Sequence, residues 1–438
     1  MDFALYFKIM TNAILKYDAY RYLLPIFVMV LLVEMPYYGI IFILVLKSYF
    51  QKLNSRNVDL YYYPSFSVII TCYSEGKDIE KSIETLIEQC YPGKIEIFAV
   101  VDGATQNKAT LDAAKKIAKK YANYPQRKVI VVPKYVRGGR VSSLNTGLKL
   151  AHGEIIMALD GDTSCDNQTI LYVAKQFQDS NVVASSGGMR VRNAKVNLVT
   201  KLQSLEYVLG IHLAKLGLAE VNSVNNISGA FGFFRHSMLK QIGGWRSGSA
   251  EDLDLTTRLQ SLFSRHPKHR IAHTPEAMSH TDAPESWKGL FLQRLRWDGD
   301  MFFIWIRRYR HRIIFRFMSK SAFFVTWGGL IFNLVVPLAI IIYIPYTLFN
   351  YPIEVVFWLF AITYIYYLII TVLSFVIMIA LISERPAYDL YFVPYLVFMP
   401  LYQFIMRAWT GVAIIYELVL KTHNYSSMAP WWVLKNKQ

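Results

Sequence analysis

The chain changes character three times along its length. Residues 22–46 are apolar at nearly every position, interrupted only by Pro25, Glu34 and Pro36. About 20 such residues cross a bilayer, so this stretch predicts one kinked span. The preceding residues 3–15 are apolar but broken by Lys8, Thr11 and Asn12, which predicts a helix lying in the membrane plane. No short apolar core with a small-residue cleavage site follows, so a signal peptide is not the reading. After Lys320 apolar character returns in three blocks, 322–349, 355–382 and 390–420, separated by Asn350-Tyr351-Pro352 and Ser383-Glu384-Arg385-Pro386. They predict three further spans. The middle of the chain reads differently. Short runs rich in Val and Ile at 67–71, 95–101, 129–132 and 155–160 suit strands buried on both faces. Between them, 77–89 repeats Ile79, Ile83, Leu86 and Ile87 at helical spacing, and 107–121 and 141–150 do likewise. Such alternation predicts an α/β domain with a doubly wound, mostly parallel sheet, whose ligands bind beyond the carboxyl ends of the strands. The division that follows is 1–54 for the in-plane helix and first span, 55–286 for the α/β domain, 287–320 for interfacial helices and 321–438 for three spans and a tail.

Composition sharpens this picture. A mean hydropathy of +0.26 is high for a soluble enzyme and low for an all-membrane bundle, and it excludes disorder and collagen. Lys and Arg number 47 against 31 Asp and Glu, a net charge of +16, which admits nucleic acid, an anionic membrane surface or a polyanionic substrate as partner. Position chooses among them. The run Arg307-Arg308-Tyr309-Arg310-His311-Arg312, continued by Arg316 and Lys320, abuts the first of the three apolar blocks and lacks interleaved stacking residues, which argues against nucleic acid. By the positive-inside rule it places residues 55–320 in the cytoplasm. A one-plus-three count leaves both termini outside, against the basic residues Lys421, Lys435 and Lys437 near the C-terminus. Arg407, inside the last block, either faces a cavity or partner or marks an earlier helix end. Cys72, Cys90 and Cys165 are odd in number and share no metal-ligand spacing, which points to a reducing compartment.

Chemistry gathers at the predicted strand ends. The first strand runs into Thr71-Cys72-Tyr73-Ser74-Glu75, the second into Asp102-Gly103 and the fourth into Asp160-Gly161-Asp162. A single Asp after a strand is ordinarily a turn or a cap, but three acidic ends converge at one edge here. If the backbone bends at Gly161, Asp160 and Asp162 approach one hard cation. Mg²⁺ or Mn²⁺ takes one or two carboxylates and completes its shell with water and substrate phosphates. Further on, Glu251-Asp252 follows Gly243-Gly244-Trp245 and reads as a helix start, where acidic residues are common dipole partners. Gln293, Arg296 and Trp297 lie three and four apart and share one helix face; alone they also suit an interfacial helix meeting lipid phosphate. Neither GxGxxG nor GxxxxGK[ST] occurs, so dinucleotide and P-loop chemistry lose their main support.

In order, Asp102, Asp160-Gly161-Asp162, Glu251-Asp252 and Gln293-x-x-Arg296-Trp297, followed by spans, resemble the processive membrane glycosyltransferases of family 2, the cellulose, chitin, hyaluronan and poly-N-acetylglucosamine synthases. The resemblance covers residues 67–297 in motif order and the flanking spans in layout. Within the group the chain is most similar to bacterial poly-β-1,6-N-acetylglucosamine synthases, through Met189-Arg190-Val191-Arg192, Leu205-Glu206-Tyr207, Ile227-Ser228-Gly229-Ala230 and Pro284-Glu285-Ser286-Trp287-Lys288-Gly289-Leu290. It departs from them with Arg140 for the usual Lys, Ala250 for the usual Thr, and Asp298-Gly299-Asp300 for Ala-Gln-Gly.

The resemblance implies a GT-A-like fold and an inner-membrane, multi-pass protein with a cytoplasmic catalytic domain. It implies inverting β-transfer from a UDP-sugar, UDP-N-acetylglucosamine foremost, into an extracellular polysaccharide that the protein helps across the membrane. Thr71, Tyr73, Glu75 and Asp102 then resemble uridine contacts, Arg140 a phosphate or nucleotide contact, and Asp160 with Asp162 the Mg²⁺ or Mn²⁺ diphosphate site. Asp252 is the implied base. Glu251, Gln293, Arg296 and Trp297 are the implied acceptor and diphosphate residues. The implied partners are the growing glycan, membrane lipids, a small membrane subunit and export machinery, with no nucleic acid. Synthases of hyaluronan, chitin or cellulose, a single-transfer enzyme with a lipid acceptor, and a non-catalytic membrane scaffold are the alternatives.

Overall fold

The computed structural model describes residue 12 and residues 34–54, 60–246 and 250–425. Apart from residue 12, the expected in-plane helix at 3–15 lies outside the described residues, as do residues 22–33 of the expected first span. Helix α1 (Met35–Asn54) leads into the α/β unit. There β1 (Phe66–Cys72), α2 (Asp78–Ile87), β2 (Ile95–Asp102), α3 (Lys108–Lys120), β3 (Arg127–Lys134), α4 (Gly139–Leu150) and β4 (Ile155–Asp160) alternate as the hydrophobic pattern requires. Ile79, Ile83, Leu86 and Ile87 form the buried face of α2. The four strands pair in parallel in the order β3-β2-β1-β4. β1 is buried along its whole length. β3 corrects the expectation of burial on both faces: it is the edge strand, and most of it is half-exposed.

The second half adds β5 (Ser164–Cys165), α5 (Thr169–Phe177), β6 (Val182–Val191), α6 (Leu198–Tyr207), α7 (Lys215–Glu220), β7 (Phe231–Arg235), α8 (His236–Gln241), α9 (Glu251–Gln260) and β8 (Arg270–Thr281). These strands extend the sheet as β7-β6-β8-β5. β7 runs antiparallel to both β4 and β6, so the eight-stranded sheet is mixed. Period-two alternation feeds two apolar layers: Val68, Ile70, Ile97 and Ala99 lie in one, Ile69, Phe98 and Val100 in the other. Helix α4 packs so closely on the sheet that a Cβ at Gly147 would lie 2.4 Å from Ile69 Cγ2. Gly147→Val is therefore expected to destabilise the α/β unit by about 1–3 kcal/mol, read as a lower denaturation midpoint.

Beneath this unit, α10 (Trp287–Phe302) starts at the Ser286 cap, whose hydroxyl accepts from the Gly289 N–H at 3.1 Å. Among the described residues, three helices are long and apolar enough to cross a membrane: α11 (Lys320–Asn350), α12 (Ile353–Leu381) and, after the short α13 (Pro386–Leu390), α14 (Val393–Leu420). Helix α14 lies along α10. Its Tyr402 hydroxyl donates to Glu206 at 2.6 Å, its Trp409 ring sits 4.8 Å from Phe291, and its Thr410 hydroxyl donates to Asp298 at 2.7 Å. The two readings of Arg407 resolve in favour of a partner: the helix continues through it, and its guanidinium meets buried Glu34 at 3.1 Å and the Tyr367 hydroxyl at 2.8 Å. Part of the basic run is also structural. Arg308 pairs with buried Asp254 at 3.4 Å, and Tyr309 donates to the same carboxylate at 2.6 Å. Between α12 and α14, Asp389 accepts both terminal nitrogens of buried Arg190, at 2.6 and 3.0 Å, which clamps this loop to the end of β6.

Candidate active site

Parallel pairing brings the carboxyl ends of β1, β2 and β4 to one edge, where with the start of α4 they enclose a cavity of about 220 Å³. Thr71, Tyr73, Glu75, Asp102, Arg140, Asp160 and Asp162 all line it. Asp102 is buried and fully engaged: Oδ1 accepts from Lys134 Nζ at 2.7 Å and the Gly138 N–H at 2.9 Å, and Oδ2 accepts from the Gly139 N–H at 2.8 Å. It thereby anchors the first turn of α4, which needs the positive φ of Gly139 (78°). That turn presents Arg140. Its guanidinium is ion-paired with both Asp160 and Glu251, donates to Thr71 Oγ1 at 3.0 Å and donates to the Gly229 carbonyl at 2.6 Å. At the cavity mouth the Arg137 guanidinium stacks 4.1 Å from the Tyr73 ring. Glu75 lies against Gly161, and its Oε2 is buried without a hydrogen-bond partner. Burial raises the Glu75 pKa, and the Asp162 charge adds to the rise.

A second cavity, of about 630 Å³, shares Arg140, Asp160 and Asp162 with the first and carries Glu251, Asp252, Gln293, Arg296 and Trp297 on its walls. Helix α9 enters through Ala250, held at a left-handed φ of 49°; this costs a non-glycine residue about 1–2 kcal/mol. Asp252 Oδ2 accepts from the Gly229 N–H at 3.0 Å and the Asn226 amide at 3.2 Å, and Oδ1 accepts from the Leu253 N–H at 2.7 Å. On α10, Gln293 Oε1 is buried and unpartnered, and Trp297 is 38% exposed, with the Arg294 guanidinium 4.8 Å from its ring. Arg294 in turn pairs with Glu206 at 2.6 Å. Nearby, burial pushes the Asp298 carboxyl up to about 6.

A third cavity, of about 220 Å³, shares Asn225, Trp305 and Asn333 with the second and opens between α1, α11 and α14, where Tyr37, Tyr38 and Arg407 line it.

The twelve site residues implied by the resemblance thus all lie on one of the first two cavities. The sequence reading passed over Lys215, Asn226 and Arg294, which line the second cavity. Arg294 carried a signal, its place inside Gln293-x-x-Arg296-Trp297. Lys215 carried none, because a lysine in a short helix reads as solvated surface.

An eight-stranded mixed sheet whose acidic strand ends surround a cavity of about 220 Å³ defines a GT-A-like glycosyltransferase. Residues 64–299 match the family described as glycosyltransferase like family 2, and the chain belongs to that family. It is 30% identical over 235 residues to a poly-β-1,6-N-acetyl-D-glucosamine synthase of Staphylococcus epidermidis, 53% of each chain. It is also 30% identical over 231 residues to the synthase of the same name from Staphylococcus aureus strain COL, 52% of each. The matched region thus spans about half the length of these curated relatives. In fold it is similar to the mannosyltransferase PcManGT from Pyrobaculum calidifontis, solved in complex with GDP-Man and Mn²⁺, with a TM-score of 0.56 and 19% identity over 87% of this chain and 99% of that one.

Proposed function

We propose that the protein is an inner-membrane synthase that polymerises N-acetylglucosamine from its UDP derivative with inversion at the anomeric carbon, its catalytic domain cytoplasmic, and guides the polymer across the membrane. The observation that carries this reading is the meeting of the two cavities at Asp160 and Asp162. One is lined by the acidic strand ends and Arg140, which suits a nucleotide diphosphate. The other holds a hydrogen-bonded carboxylate, a planar aromatic face and an arginine for an acceptor sugar. Supporting it, the relatives named above are synthases of this polymer, and the third cavity continues from the acceptor side between the apolar helices.

The residues present suit a divalent cation. Asp162 accepts one hydrogen bond, from Thr163 at 3.3 Å, and Glu75 Oε2 has no partner. Asp160 and Asp162 would hold Mg²⁺ or Mn²⁺, which would neutralise the diphosphate as it departs. Around it, Asp252 accepts the proton of the attacking hydroxyl. Arg296 faces the phosphates, Gln293 offers its buried amide to the donor sugar, and Trp297 stacks on the terminal acceptor sugar. Thr71, Tyr73 and Glu75 surround the uridine, with Asp102 holding the α4 turn that completes the pocket. Glu251 keeps Arg140 aimed at the diphosphate.

Membranes containing the protein and Mn²⁺ are expected to release UDP from UDP-N-acetylglucosamine and to form a polymer, with other UDP-sugars poor donors; preference for a different UDP-sugar overturns the donor assignment. Trp297→Ala is expected to shorten or abolish the polymer while UDP release by water persists, because the cation site and Asp252 are untouched. A residue that only met lipid headgroups would alter membrane retention and leave product length unchanged. Sizing labelled product against released UDP, both normalised to inserted protein, separates the two outcomes.

A further inference from the structure

Arg192 closes the Met189-Arg190-Val191-Arg192 run and stands just past the end of β6. Its backbone N–H donates to the Thr281 carbonyl of β8 at 2.8 Å, so strand pairing still fixes it there. Its Nη2 lies 2.8 Å from the Asp162 carbonyl, 2.8 Å from the His280 carbonyl and 3.1 Å from Ser164 Oγ, while Nη1 meets the Asp282 carboxylate at 3.1 Å. One guanidinium thus joins the turn after β4, the start of β5 and the end of β8. Arg190, two residues earlier and on the same face of β6, is held by Glu384 at 2.7 Å as well as by Asp389. β6 therefore presents Arg192 from a fixed point.

The turn 160–163 carries both carboxylates of the candidate cation site, and the two are held differently. The Asp160 side chain is gripped directly, by Arg140 and Thr71. The Asp162 side chain accepts one hydrogen bond, at 3.3 Å, from the adjacent Thr163. Among the described residues no hydrogen bond or ion pair reaches it from another element, so the backbone of the turn sets its direction. That backbone has three carbonyls to satisfy. The Thr163 N–H donates to that of Asp160 at 3.1 Å, the Ser82 hydroxyl of α2 to that of Gly161 at 2.7 Å, and Arg192 to that of Asp162. The first bond is internal to the turn and the second anchors its middle. Arg192 anchors the limb that bears Asp162.

We infer that Arg192 is a positioning residue for the cation site: by gripping the Asp162 carbonyl it holds the Asp162 carboxylate at the cavity edge shared with Asp160, in place for a divalent ion. The inference rests on the reading of Asp160 and Asp162 as the pair that holds the cation. Its physical basis is that a hard ion such as Mg²⁺ or Mn²⁺ takes few protein oxygens, so its affinity depends on those few being fixed in advance. Groups that orient a ligand from behind are worth about 10- to 100-fold in metal affinity or activity.

Full-length Arg192→Ala, Arg192→Lys and Asp162→Asn, purified in detergent, are titrated with Mn²⁺ in the presence of UDP, the unbound ion being read by electron paramagnetic resonance. Turnover of UDP-N-acetylglucosamine is measured across the same Mn²⁺ range. Arg192→Ala is expected to bind Mn²⁺ about tenfold more weakly and to regain wild-type turnover once Mn²⁺ is saturating, because both carboxylates remain. UDP affinity at saturating Mn²⁺ is expected to match wild type, which shows that the variant is folded. Arg192→Lys keeps the charge without the planar fork and is expected to fall between, about threefold weaker than wild type. Wild-type Mn²⁺ binding in Arg192→Ala overturns the inference, and so does a turnover loss that saturating Mn²⁺ does not repair. Where Arg192→Ala fails to bind UDP, Arg192→Lys decides alone, and wild-type Mn²⁺ binding in it overturns the inference. Wild-type Mn²⁺ binding in Asp162→Asn removes the cation assignment, and this inference with it. A loss confined to Asp162→Asn overturns the inference and leaves that assignment standing.

Discussion

Asp252→Asn is expected to lower turnover by about 10² to 10⁴ while leaving UDP-sugar affinity nearly intact. The amide keeps the side chain's size and one acceptor oxygen, so the contacts with the Gly229 and Leu253 N–H groups are partly preserved. What it loses is a site for the acceptor's proton. Glu251 does not replace it, since successive helical side chains point about 100° apart and the Glu251 carboxylate is paired with Arg140. Donor affinity and turnover, measured on one preparation, test this. Equal losses in both would make Asp252 a binding or folding residue.

Asp162→Asn is expected to be nearly as damaging, for a different reason. Asp160 already shares Oδ1 with Arg140 and Thr71, so Asp162 is the less encumbered carboxylate of the pair. Its loss leaves the cation held chiefly by diphosphate, and the expected result is a fall in turnover of about 10² or more, partly recovered at high Mn²⁺. Excess chelator is expected to abolish wild-type activity. Full activity in chelator, or an unchanged Mn²⁺ dependence in the variant, contradicts the assignment.

Much of this arrangement is legible in the sequence. β1, β2 and β4 are short Val/Ile runs ending in acidic residues, and the parallel order that places those ends together follows from the helices between them. The second half of the sheet was not legible, for a physical reason. β6 reads Val-Val-Ala-Ser-Ser-Gly-Gly-Met-Arg-Val and is buried throughout, with neither polar alternation nor an apolar run to mark it. Its partners lie sideways instead: Ser185 pairs with Thr274 at 2.9 Å, and Ser279 of β8 donates to the Gly188 carbonyl at 3.1 Å, while Ser186 Oγ is buried without a hydrogen-bond partner. β8 carries a register shift opposite Gly187 and Gly188 that hides it further.

In the site the same division holds. Acidic residues after strands, and three polar or aromatic residues on one helix face, show in the sequence because local geometry places them. The pairing of Arg140 with Glu251 joins residues far apart in the chain and exists only once the sheet has formed. The resemblance implies Asp102 as a uridine contact; what the sequence does not show is that its oxygens also accept from Lys134 and from the Gly138 and Gly139 N–H groups at the start of α4.

Because Arg140 bridges Asp160 and Glu251, one cation belongs to both cavities at once. A ligand in the smaller cavity that draws Asp160 away leaves the guanidinium to Glu251 and to the Gly229 carbonyl, whose own N–H supports Asp252. The free energy of filling one cavity therefore depends on the state of the other. Thermodynamic reciprocity then fixes the converse: whatever factor a bound nucleotide imposes on the affinity for an acceptor sugar, the acceptor must impose on the nucleotide. On the proposed reading, donor and acceptor are linked through a single side chain before any bond between them is made.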